Sequence, residues 1–311
     1  MRIGQLDEAN VDAMAALLAA VHRGFPCEEP TSTLGDPAVA RLHVQSVIGT
    51  GPGVVALDGP SVVGFMVAPP PVLGSSTARL RPHHHAAEPE NARLIYRRMY
   101  EAISPALLAA GWIHHSVPVP ASPSDAMNAL FELGFGIDQI KGYRVVPGRE
   151  ELEPLAGPVR AAVREDVDRL AELAIELQQF HWRAPMFQRT HVDRQSIRDG
   201  LLRSLDDARS TSLVFEDCDR IVAMLQAEPD AVCAEAVVIG LNVVTETARS
   251  AGHGTALLEV LLRWAGSVGY RYCTVGWTSS NLISDAFYRS RGFIPMRYRL
   301  DRRLDPPDAP L

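Results

Sequence analysis

The chain has 311 residues, and 30 Lys and Arg against 37 Asp and Glu leave a formal net charge of −7. Apolar residues make up 47% and charged residues 22%, ordinary for a globular protein that buries a core in each of about two domains. The acidic balance argues against bulk nucleic-acid binding, which runs on cationic surfaces. Cys27, Cys218, Cys233 and Cys273 lie far apart with no C-x-x-C pair, so neither a zinc ribbon nor a disulfide framework is expected. The N-terminal stretch is acidic where a signal peptide is basic, and no apolar run approaches about 18 residues. A cytoplasmic protein without membrane contact is the expectation.

In chain order, VDAMAALL (11–18) has the i, i+3, i+4 apolar spacing of an amphipathic helix, and VVALDGPSVVGFMVA (54–68) reads as a β-hairpin. His83, His84 and His85 read as a solvated loop and His114 and His115 as a strand start. Three consecutive histidines face no single way, so no metal site is expected. ALFELGFG ends the first half at Gly134-Phe135. A stretch with three prolines and a charge cluster, 146–159, reads as a linker.

The same order then returns. VDRLAELA starts at 167, which is 156 residues after 11. LVFEDCDRIVAMLQA starts at 213, which is 159 after 54. Gly292-Phe293 lies 158 after Gly134-Phe135. Three collinear matches at a nearly constant offset imply two copies of one α+β unit. In the second copy the expected elements are helices at 165–180 and 192–205, the hairpin at 213–227 and a strand at 234–244. A Leu-rich helix follows at 255–269, a strand at 272–278, a helix at 282–291 and a last strand near 294–300. The expected boundaries are 1–147 for the first domain, 148–160 for the linker, 161–304 for the second domain and 305–311 for a tail.

The most informative segment joins the 234–244 strand to the Leu-rich helix. Gly252 and Gly254 open the helix where free N–H groups and the helix dipole attract phosphate. Arg249 adds a full positive charge, and Thr255 a hydroxyl or a cap. The loop reads as a pyrophosphate site. It lacks the lysine of a Walker loop and the third glycine of a dinucleotide-binding fingerprint.

Arg249-Ser250-Ala251-Gly252-His253-Gly254 resembles the R/Q-x-x-G-x-G/A signature of the GNAT superfamily of N-acetyltransferases. The strand before it, with Leu241 and Val243, and the following Asn281, Tyr288, Gly292 and Phe293 have the order found in that superfamily. One departure is visible: where that superfamily usually has proline-acidic-x-arginine, this chain has Thr245-Glu246-Thr247-Ala248-Arg249, one residue longer and without proline.

The resemblance implies a three-layer α/β fold, here as two tandem copies of a mixed, mostly antiparallel sheet flanked by helices. It implies acetyl-CoA as cosubstrate and no metal. Its diphosphate would lie on Arg249, Ser250, Ala251, Gly252, His253, Gly254 and Thr255, its pantetheine arm along Leu241, Val243 and Val244, with Asn281 in contact. Tyr288 would be the general acid for the departing thiolate; an ordinary phenol pKa near 10 suits that task. For the general base, Glu235 shares strand parity with Leu241 and Val243 and is the first candidate. Glu228, Asp230, Glu246 and a water chain are alternatives. His253 reads as packing or cofactor contact, and 181–187 as acceptor lining or packing.

In the first copy Tyr288 maps to Leu130, Asn281 to Pro123 and the glycine loop to the glycine-free 90–96. That copy is expected to keep the fold without productive CoA binding. The expected activity is acetyl transfer to a primary amine, of a small molecule before a protein, by direct attack in the second copy. The alternative is a non-catalytic acyl-CoA-binding or regulatory module. No nucleic-acid or membrane partner is expected, and a homodimer is left open. The acidic charge mildly favours cationic acceptors.

Overall fold

The computed structural model describes residues 1–23, 33–71, 74–148, 158–188 and 193–305. They divide into two units, Met1–Ile140 with Pro295–Leu311, and Lys141–Ile294. Most of the expected linker, 149–157, lies outside the described residues, as do 306–311 of the expected tail and 192 at the start of an expected helix.

The first unit contains β1 (Arg2–Gln5), α1 (Val11–Arg23), α2 (Pro37–Val47), β2 (Gly53–Asp58), β3 (Ser61–Val67), β4 (Thr77–Arg79) and β5 (His85–Ala87). It continues with α3 (Ala92–Ala109), β6 (His114–Pro120), α4 (Asp125–Glu132) and the first half of β7 (Gly136–Val145). Local chemistry sets the helix starts. Asp36 accepts from the N–H groups of Ala38 and Val39, and Pro37 follows it at the first turn of α2. Ser124 caps α4 by accepting from Met127 N–H. The sheet order is β1-β2-β3-β5, all antiparallel. The α3 face with Ile95, Met99 and Ile103 is buried on this sheet. Gly64 permits that approach, because a Cβ there would lie 2.5 Å from Ile95 Cγ2.

The second unit contains β8 (Val159–Ala161), α5 (Val167–His181), α6 (Arg194–Asp206), β9 (Thr211–Asp217), β10 (Arg220–Pro229), β11 (Ala236–Val244), α7 (His253–Val268), β12 (Tyr272–Thr278) and α8 (Leu282–Ser290). Strands β8 to β11 pair antiparallel, and β11 pairs parallel with β12. One sheet face, with Met224 and Val243, packs on Leu170 and Leu173 of α5 and Leu201 of α6. On α7, the stripe Leu257, Leu258, Leu261 and Leu262 is buried, as the leucine spacing predicts.

The copies repeat in element order, apart from the short strand β4 that only the first has. α1 and α5 start at 11 and 167, β6 and β12 at 114 and 272, β7 and the final strand β13 (Ile294–Arg303) at 136 and 294. The units depart from the contiguous halves expected at 147 and 161. β13 pairs antiparallel with β6, from Arg297 opposite Pro120 to Arg303 opposite His114, and from Pro295 onward it belongs to the first unit. Residues 141–145 of β7 belong to the second. Periodicity predicts strands but not their neighbours, so this exchange is invisible in the sequence.

The histidines at 84 and 85 also differ from expectation, whereas β6 starts at His114 as the sequence reading has it. His84 is 3% exposed and His115 1%, and His85 is buried within β5 rather than in a solvated loop. Each has a specific partner. His84 Nδ1 accepts from Arg81 N–H, His85 Nδ1 lies 2.7 Å from Tyr96 Oη, and His115 Nδ1 lies 2.8 Å from Tyr100 Oη.

Candidate functional site

The site begins where a strand pair comes apart. β11 and β12 are in register only from Ala236 opposite Tyr272 to Ile239 opposite Val275. Beyond Ile239 the edge of β11 that faced β12 has no strand partner among the described residues, while the other edge stays paired to β10 as far as Val244. The β10 register shifts between Gln226, opposite Leu241, and Ala227, opposite Ile239, so Gly240 is an extra residue in a bulge. Backbone groups on the freed edge are therefore available to a ligand.

The chain then turns into α7 through two positive-φ residues, Ser250 at +64° and Gly252 at +87°. Gly252 is the N-cap of α7 and offers no side chain to its N–H groups. Thr255 and Ala256 N–H bond back to Gly252 O, so the N–H groups of His253 and Gly254 precede the first intrahelical bonds. At Gly254 a Cβ would meet Phe287 and Val244 only at ordinary contact, 3.6 and 3.7 Å. Packing does not demand glycine there, and the missing side chain leaves the helix start open to a ligand.

Cations flank this helix start. The Arg249 guanidinium lies 4.4 Å over the Phe180 ring, with Nε donating to Val244 O. Arg291 donates through Nε and Nη2 to Thr255 Oγ1 at 3.2 and 2.8 Å. Helix dipole, uncapped N–H groups and two guanidiniums together form an anion cradle.

α8 supplies the remaining wall. Asn281 Oδ1 caps it by accepting from Ser284 N–H at 3.1 Å. Tyr288, one turn from its end, is 6% exposed and packed among Trp277, Phe287 and Phe293. Trp277 is itself fixed by donating Nε1–H to Asp285 at 2.9 Å. Burial pushes the Tyr288 phenol up to about 12, against a smaller lowering by the Asn242 hydrogen bond.

The cleft enclosed by these elements has a volume of about 470 Å³. It brings together Val243, Val244, Arg249, Ser250, Gly252, His253, Gly254, Thr255, Asn281 and Tyr288 from the sequence reading. The imidazole of His253 lies 4.0 Å from the Phe215 ring. Ala251 is in the connecting turn but not on the wall. Leu241 lines a neighbouring cleft of about 560 Å³ between α5, α6 and β10–β11, which shares Leu177 with the first. Sequence reasoning missed Asn242, Phe180 and Arg291. A polar residue inside an apolar strand run was the available signal for Asn242.

Glu235 is not part of the site. It lies just before β11, eight residues from Val243, which at about 3.3 Å per strand residue is roughly 25 Å away. Its exposed carboxylate pairs with Arg271 at 3.1 Å. Strand parity predicts the face of a side chain but not its position along the strand. Of the alternatives, Asp230 is buried and accepts from Lys141 Nζ and Thr274 Oγ1, both at 2.8 Å. Burial would raise its carboxyl pKa, but Lys141 and the hydrogen bonds outweigh this and hold it below the ordinary value. Glu246 pairs with exposed Arg183. Glu228 lines the second cleft and makes no ion pair among the described residues. Of the 181–187 stretch, His181 also lines that cleft, whereas Phe187 is 70% exposed.

Residues 169–293 match the family model described as Acetyltransferase (GNAT) family. This segment is similar to a GNAT acetyltransferase domain. Among solved structures, a GCN5-related N-acetyltransferase from Sphaerobacter thermophilus is similar at 15% identity and TM-score 0.62, over 97% of this chain and 95% of that one. A tandem GNAT protein from the clavulanic acid biosynthesis pathway is similar at 16% identity and TM-score 0.55, over 99% of both chains. A GNAT-family acetyltransferase from Colwellia psychrerythraea follows at 11% identity and TM-score 0.52, over 98% of this chain and 100% of that one. No curated protein matches the sequence. The GNAT-like α/β fold, with mixed sheets flanked by helices, thus extends over tandem copies along nearly the whole chain. Among the described residues, no helix is long and apolar enough to cross a membrane.

Proposed function

We propose that the second unit transfers an acetyl group from acetyl-CoA to the primary amine of a small molecule. The observation that carries this is the freed edge of β11 running directly into a glycine-capped helix start, with Tyr288 on the facing wall. The diphosphate fits the Gly252–Gly254 backbone and the two guanidiniums, and the pantetheine amides fit the unpaired groups of residues 240–244.

The second cleft, which shares Leu177 with the first, receives the amine. Glu228, on the lining of that cleft, takes its proton in this reading, directly or through water, in place of Glu235. The amine attacks the thioester carbonyl carbon, the C–S bond breaks, and the departing sulfur takes a proton from Tyr288. A phenol held near 12 stays protonated at neutral pH. It is a reluctant full donor to a thiolate of pKa about 8.5, so its first contribution is a hydrogen bond to the developing charge.

The first unit lacks the cradle. α3 follows a 3-10 turn, Pro89–Asn91, without glycine, and Leu130 is fully buried where Tyr288 stands in the second copy. One acetyl-CoA per chain is expected. Calorimetry with acetyl-CoA, then thiol release with an amine panel, tests the proposal. Binding without acetylation of any amine or peptide would establish a non-catalytic acyl-CoA module instead.

A further inference from the structure

The lining of the second cleft changes character along each element that builds it. On the β10 face turned to α5 and α6, buried Met224 is followed at two-residue steps by Gln226 and Glu228. On α6, buried Leu201 is followed by Ser204 and Asp207. An apolar core thus opens into polar walls.

Some of these polar groups are already committed. Asp207 accepts from Arg209 N–H and Ser210 Oγ, and Ser196 Oγ donates to Asp193. Gln226, Glu228 and Ser204 have no side-chain hydrogen bond or ion pair among the described residues. The Ser204 hydroxyl is buried without a partner, in a residue 7% exposed. A buried polar group in that state favours any ligand that satisfies it. The lining has no phenyl, phenol or indole ring, and Arg203 adds a cation to it.

Resting on the acetyltransferase reading, we infer that the acceptor is a small aliphatic amine carrying hydroxyl groups beside its amino group, an amino alcohol or amino sugar. Glu228 is a single uncommitted carboxylate and matches one ammonium. The Gln226 amide and the Ser204 hydroxyl both donate and accept, which matches hydroxyl groups. A polyamine would meet Arg203 with its second charge, and an aromatic amine would find only the His181 imidazole to stack on.

The test uses the full chain, acetyl-CoA and matched acceptors: glucosamine against cyclohexylamine, 2-aminoethanol against propylamine, with spermidine and phenethylamine alongside. The hydroxylated member of each pair should have a kcat/KM at least about tenfold higher, because a site built for a hydroxyl rejects its deoxy analogue. Gln226→Leu and Ser204→Ala should each shrink that ratio several-fold, and Gln226→Asn should restore part of it. Acetyl-CoA affinity measured on each variant separates a specificity effect from misfolding. Equal or better turnover of the deoxy, aromatic or polyamine acceptors overturns this inference and leaves the acetyltransferase reading standing. Absence of acetyl-CoA uptake, or of acetylation of any amine, overturns both.

Discussion

Asn242 Nδ2 donates to Tyr288 Oη at 3.4 Å, joining the freed edge of β11 to α8 across the cleft. The bond uses one phenol lone pair and leaves the O–H free to point elsewhere. Trp277 and Phe293 fix the ring, so the hydroxyl direction is the remaining freedom. That arrangement suits a proton donor.

Tyr288→Phe should therefore lower kcat by about a hundredfold or more, within the usual range for a lost general acid. Acetyl-CoA affinity should change little, because the Tyr288 hydroxyl bonds to Asn242 and not to the cradle groups. Steady-state thiol release together with calorimetry checks this. An unchanged kcat would remove Tyr288 from the chemistry.

Gly252→Val should lose acetyl-CoA affinity by at least about tenfold. A β-branched residue at φ +87° costs about 1–2 kcal/mol in the left-handed region, and its side chain enters the space the diphosphate needs. Gly254→Val should weaken binding with less effect on stability, since its φ is not positive. Melting temperature and calorimetric affinity separate the two effects.

Lys141→Met should destabilise the second unit by about 2–3 kcal/mol at neutral pH. It leaves the Asp230 carboxylate, 3% exposed, without its cation; the quarter exposure of Lys141 keeps the figure below that of a fully buried pair. The Asp230 pKa is depressed in the folded state. The pair's contribution is thus full above the unfolded carboxylate value near 4 and fades as pH falls through the lower folded value. Denaturant melts of both proteins should converge only once pH has fallen below the depressed folded value of Asp230.

The buried histidines of the first unit should make its stability fall with acid earlier than carboxylates alone would. Burial lowers His84 from 6.5 to about 3 and His85 to about 4, with neighbouring positive charge adding to both. Their folded pKa values lie below the unfolded one, so the unfolded chain binds more protons between roughly pH 6.5 and 4. Stability is complete above that window and decreases through it. His84→Gln should flatten the slope of unfolding free energy against pH there. A slope identical to wild type would show that these imidazoles do not titrate with unfolding.

Much of the site is local and therefore readable in one dimension. Gly252 and Gly254 announce a helix start by their backbone freedom, and Arg249, Asn281 and Tyr288 sit at short, fixed distances from it along the chain. The same holds for the duplication, whose offset survives because each element keeps its own periodicity and caps. Glu235 shows the limit: alternation assigns a face, yet the ion pair with Arg271 and eight residues of strand rise put it out of reach. Three contiguous histidines likewise read as polar loop, although Tyr96, on another element, offers a partner for burying His85.

Element order, the two copies and the glycine-opened start of α7 followed from the amino-acid order alone, because turns, caps and apolar stripes act over a few residues. Only the tertiary structure decided where β11 and β12 part, which carboxylate remains uncommitted beside the cleft, and that β13 completes the first unit. Those outcomes depend on pairing between segments far apart in the chain, and no local preference specifies the partner.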